Sequence, residues 1–72
     1  MNKQKFDRKK LAALRESKGF TRYHLIQELK RIDPGLNGHS LYQWEKGICN
    51  PSVKYMQLLC DYFKVNLSHF FS

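Results

Sequence analysis

Apolar residues along the chain fall three and four positions apart, and nowhere do they alternate with polar ones long enough to write a strand. Each stretch carries one stripe: Leu11 and Leu14; Leu25 and Leu29 with either Ile26 or Ile32; Leu41 and Trp44; Met56, Leu59, Cys60 and Phe63. Val65, Leu67 and Phe70 close the end. The stripes imply helices that bury one side against each other, with no cofactor box hidden among them.

The ends of these helices are marked too. An apolar residue before a capping side chain and another at the fourth helical position form a hydrophobic staple. That spacing occurs at Phe6-Asp7 with Leu11, Phe20-Thr21 with Leu25, Leu36-Asn37 with Leu41, and Val65-Asn66 with Phe70. Asn50-Pro51-Ser52 opens one more helix, with Ser52 as its cap. Five short helices are expected, at about 7–18, 21–32, 37–46, 52–63 and 66–71. Gly19 and Gly47 suit the left-handed stops of the first and third, and "DPGLN" is a turn.

On a helical wheel at about 100° per residue, Glu45 lies some 40° from Leu41, at the edge of the buried stripe. Arg15 holds the same relation to Leu11. An acid facing inward needs a hydrogen-bonding cation, so Arg15 and Glu45 are expected to pair between the first and third helices. The plainer alternative is that both snorkel outward. Opposite Leu41 and Trp44 the third helix presents His39, Tyr42, Gln43 and Lys46, with bare backbone at Gly38.

Charge narrows what such a ridge meets. The net charge is +7, and all of the excess lies in residues 1–31, where ten Lys/Arg face Asp7, Glu16 and Glu28. This points to a polyanion, against the blander reading of a solvated tail. A Gln side chain pairs with the adenine edge in the major groove, His39 can donate to guanine, and Tyr42 can meet a phosphate or a thymine methyl. Seventy-two residues allow one domain and no deep substrate cavity. Residues 1–6 read as a flexible basic arm; for Lys3 and Lys5 a merely solvated tail is the simpler account. Cys49 and Cys60 have neither CxxC nor zinc-ligand spacing. His24, His39 and His69 lie on separate helices without a triad partner, so neither catalysis nor a metal or other cofactor is expected. No run is long and apolar enough to cross a bilayer and no signal segment follows the basic start; a cytoplasmic location without membrane or small-molecule partners is expected.

Taken together, "LAALRESKGFT", "LI", "LYQWEKG", "NPS" and "LLCDYFKVNLSHFF" resemble the Cro/phage-repressor type of helix-turn-helix domain, the XRE family, over about residues 8–71. The resemblance implies an all-α, lambda-repressor-like bundle of five helices. Its second and third helices would form the helix-turn-helix of a transcriptional regulator that binds double-stranded DNA. It further implies phosphate contacts from Thr21, Arg22, Tyr23, Lys46 and Asn50, base contacts from Gly38, His39, Tyr42 and Gln43, and an Arg15–Glu45 bridge. Three positions depart from the family. Ile26 stands where a small residue is usual, and Lys64 where Gly often stands, implying a left-handed residue or a different helix ending. "KRIDPG" lengthens the turn, which would shift the third helix or extend the second. A homodimer contact through Phe70 and Phe71 is a further expectation. The alternative function is a protein-interaction or antitoxin-like module on the same scaffold.

Overall fold

Side-chain caps begin three of the four α-helices. A computed structural model describes residues 5–71. In it the Asp7 carboxylate accepts the Lys9 and Lys10 amides and starts α1 (Arg8–Ser17). Thr21 accepts from His24 N and starts α2 (Arg22–Ile32), and Ser52 does the same for α4 (Val53–Phe63) through Tyr55 N. Each of these satisfies an amide that the helix itself leaves unpaired, a contribution of about 1 kcal/mol per cap. α3 (Ser40–Glu45) has no side-chain cap. The chain ends in a four-residue 3-10 helix, Leu67–Phe70, in place of the fifth α-helix expected at 66–71. The described residues contain no strand, only an isolated antiparallel bridge between Phe6 and Phe71.

The stripes meet in one core. Leu11, Leu25, Leu29, Leu41, Leu59 and Phe70 are fully enclosed, with Ile26, Leu36, Trp44, Cys60 and Phe63 around them. α1 packs on α3 and on the terminal 3-10 helix, α3 also touches α2, and α4 closes on the 3-10 helix. Of the two isoleucines left open in the second helix, Ile26 is the buried one and Ile32 is exposed. Leu67, expected to close the end, is exposed as well, at the first residue of the 3-10 helix, while Phe70 at its last residue is buried.

Two further expectations are corrected at the ends of the chain. Phe6 does not belong to a flexible arm. It is buried, its ring stacks on Phe70 with centroids 5.5 Å apart, and Asp7 N donates to the Phe70 carbonyl at 2.5 Å. Lys5 is exposed, and the rest of the expected arm, Lys3 included, lies outside the described residues. Phe70 is covered by the protein's own core, which removes it from the expected dimer contact; Phe71 is half-buried against Phe6.

The lengthened connection between α2 and α3 leaves α2 at its expected end and delays α3. Asp33 folds back on itself, taking Gly35 N on its side chain and Leu36 N on its carbonyl. Leu36 drops into the core. Asn37 then holds a second turn, accepting His39 N on its side chain at 2.7 Å and Ser40 N on its carbonyl. An Asn that serves a turn in this way is not capping a helix. α3 therefore starts at Ser40 rather than 37. Lys54 on α4 reaches across to the Asp33 carboxylate at 3.1 Å. That ion pair lowers the Asp33 pKa, with help from the Gly35 amide, and raises that of Lys54.

α4 stops at a residue in the left-handed region, Lys64, with φ 59° and ψ 48°. The Lys64 and Val65 amides both reach the Cys60 carbonyl there. A side chain in that conformation costs about 1–2 kcal/mol that glycine avoids. Lys64→Gly is expected to stabilise the protein by about 1 kcal/mol, less than the full strain because glycine adds freedom to the unfolded chain. A urea midpoint that rises with an unchanged slope is the check; a fall would mean that Lys64 holds a contact worth more than its strain.

Candidate nucleic-acid interface

Glu45 carries two arginines. Its carboxylate, almost wholly enclosed, accepts Arg15 Nε at 2.8 Å and Arg15 Nη2 at 3.1 Å, a forked pair between α3 and α1. A third bond comes from α2, where Arg22 Nε lies 2.9 Å from Glu45 Oε1. Arg15 spends its remaining arm, Nη1, on the Phe20 carbonyl at 2.7 Å. The Glu45 hydrogen bonds raise the Arg15 pKa further, against the opposing effect of burial, so its charge is permanent. One carboxylate thus ties three helices at the edge of the core, and the wheel located one of its two partners, Arg15. Arg22 was expected only as a phosphate contact; its Nε is already committed to Glu45.

With α3 fixed inward by Leu41, Trp44 and Glu45, its opposite side faces solvent. Tyr42 is exposed, and two cations flank its ring, the Arg22 guanidinium carbon 5.4 Å and Lys46 Nζ 5.9 Å from the centroid. Contacts of this kind hold an aromatic ring in place while leaving its hydroxyl free. Gln43 is half-buried, its side-chain oxygen 3.9 Å from Cys49 Sγ and its carbonyl taken by Ile48 N at 2.9 Å. His39 is exposed immediately before the first helical residue and Gly38 lies in the turn ahead of it, so neither is inside α3 as expected.

The expected phosphate contacts divide in the same way. Thr21 is exposed, its oxygen accepting the α2 cap bond while its hydroxyl hydrogen stays available. Tyr23 stands out at the start of α2, 74% exposed. Lys46 and Asn50 are exposed at and beyond the end of α3. The structure brings Arg22, Tyr42, Lys46, Arg15 and Glu45 into one neighbourhood. Gly38 and His39 lie at the other end of α3, and Asn50 three residues past its Gly47 stop.

Sequence reasoning missed one participant, Arg8. Its Nη1 donates to the Lys46 carbonyl at 2.6 Å, bridging the first turn of α1 to the last turn of α3. Gly47 makes this possible twice over. It adopts φ +76°, and a Cβ there would collide with Arg8 Nη1 where it now lies. A signal was present, since Arg8, Ala12 and Arg15 follow i, i+4, i+7 and share a face of α1. Between that face and α3 opens a cleft of about 460 Å³.

No protein-family model, curated protein or solved structure matches the chain. No helix among the described residues is long and apolar enough to cross a membrane.

Proposed function

We propose that the protein is a sequence-specific double-stranded DNA-binding domain of a transcriptional regulator. α2 and α3 act as a lambda-repressor-like helix-turn-helix whose turn is lengthened, and the outer side of α3 enters the major groove. The observation that carries this reading is the Glu45 cluster. Three helices converge on one buried carboxylate, fixing the roll of a six-residue helix too short to be stable alone. Rigid presentation of side chains is what direct reading of base edges requires. Tyr42 and Gln43 are the base-reading candidates within α3, and His39 and Gly38 precede it on the approach. Thr21, Arg22, Tyr23, Lys46 and Asn50 flank the ridge as phosphate candidates. The excess of positive charge in residues 1–31 supplies the general attraction to the duplex.

Selection from random duplexes tests this directly. The wild-type chain is expected to enrich one sequence pattern, with affinity that falls steeply as salt rises. The double variant His39→Ala, Gln43→Ala is expected to fold with an unchanged melting temperature and lose discrimination at the bases concerned, about 1–3 kcal/mol for each good contact removed. Equal affinity for every duplex, or no enrichment over a scrambled pool, would overturn the reading.

A further inference from the structure

The cleft beside α3 is lined by five cations, Arg8, Lys9, Arg15, Arg22 and Lys46, against the carboxylates of Glu16 and Glu45. Ala12 contributes no bulk to its α1 wall. Glu45 is consumed by Arg15 and Arg22, so the cations around the opening outnumber what the protein neutralises. Like charges are not gathered without cost, and here two of them are held in position. The Arg8 guanidinium is tethered through one nitrogen, Nη1, to the Lys46 carbonyl, and the rest of its donor fork makes no hydrogen bond among the described residues. Arg22 uses Nε on Glu45, leaving both terminal nitrogens without a hydrogen bond among the described residues, and its side chain is 40% exposed. Lys9 and Lys46 are exposed at the rim.

We infer that this cleft is a phosphate-binding site, and that it receives a phosphodiester of the DNA backbone, with Arg8 and Lys9 of α1 as contacts that the helix-turn-helix elements do not themselves provide. Forked guanidinium groups match the oxygens of a phosphate with paired, directed hydrogen bonds that spherical chloride does not accept in the same way. The location favours the backbone of a duplex as the source. Arg22 touches both the cleft and the Tyr42 ring, so an anion held here sits directly beside the outer side of α3. This assignment of source rests on the DNA-binding function proposed above, whereas the preference for phosphate does not.

The test combines two measurements on the full chain. In the first, ¹⁵N-labelled protein is titrated with inorganic phosphate and, at matched ionic strength, with chloride. Phosphate is expected to shift the amides of Arg8, Lys9, Ala12 and Arg22 selectively. In the second, duplex affinity is followed against salt for the wild type, Lys9→Gln and Arg8→Gln. Each variant is expected to reduce the slope of log K against log salt by about 1 and to leave the selected sequence unchanged. Among the described residues the Lys9 side chain bonds nothing, so Lys9→Gln keeps the test valid even if Arg8→Gln loosens the end of α3. Unselective shifts together with unchanged slopes would overturn the site while leaving a sequence-selective wild type, and hence the proposed function, standing. Selective phosphate shifts in a protein that binds no duplex would support the phosphate site and overturn both the proposed function and the duplex as its source. Selective shifts with duplex binding but unchanged slopes would assign the cleft to free phosphate compounds and overturn the duplex as its source.

Discussion

Glu45→Ala is expected to destabilise the protein by about 3–5 kcal/mol, the cost of leaving a buried charge without its partner. Arg15 cannot escape by losing its proton, because its pKa lies even above the usual arginine value. With the carboxylate gone, the Arg15 and Arg22 guanidinium groups face one another across the space it occupied. A domain of this size has little more than that loss in reserve, so much of the population should be unfolded at 37 °C, read as lost helical circular dichroism and an early urea midpoint. The double variant Arg15→Met, Glu45→Leu should recover most of the loss, since well-packed apolar groups often replace a buried pair without penalty. Recovery should be incomplete, because the Phe20 carbonyl would still lack the donor that Arg15 provides. A cost below about 1 kcal/mol for Glu45→Ala would show that water screens the cluster as it screens a surface ion pair.

Phe70→Ala is expected to cost a similar amount, about 3–5 kcal/mol, from the transfer of a fully buried ring and the cavity left behind. Its effect should reach the other end of the chain. Phe6 stacks on Phe70, and Asp7, the cap of α1, donates its amide to the Phe70 carbonyl. Hydrogen exchange should therefore quicken at the first turn of α1 as well as at Asp7. Loss of protection confined to residues 66–71 would show that the terminal 3-10 helix frays by itself without disturbing α1.

The parts of this fold that were legible in advance are those written in local spacing. Staples at Phe6/Leu11 and Phe20/Leu25 bring together residues that are all buried or half-buried, whereas Leu36 and Leu41 are buried without forming one, because α3 starts at Ser40. At Lys64 the resemblance left two outcomes open, a left-handed residue or a different helix ending, and the residue is left-handed. The Arg15–Glu45 pair was legible because a charge on an apolar stripe has few places to go. What escaped was set by competition or by distance. The Asn37 side chain can cap a helix or close a turn, and the preceding Asp33 turn with its buried Leu36 decides for the turn. Arg8 finds a backbone carbonyl 38 positions away, a partner that leaves no periodic trace. Arg22 was noticed for its charge and position, but nothing local says that its Nε is committed to Glu45. The candidate site follows the same division: its inward clamp could be derived from a wheel, and the cleft beside it could not.

The Phe6–Phe71 bridge brings the two extremities of the described chain side by side. A brief Gly/Ser linker joining them would make a circular molecule with little distortion. A cut in the exposed stretch around Pro34 and Gly35 would then give a permuted polypeptide with α3 near its amino end. In that rearrangement the aromatic seam, now a closure between distant parts of the chain, would become a local contact made early in folding, and the permutant should reach its native state faster than the parent.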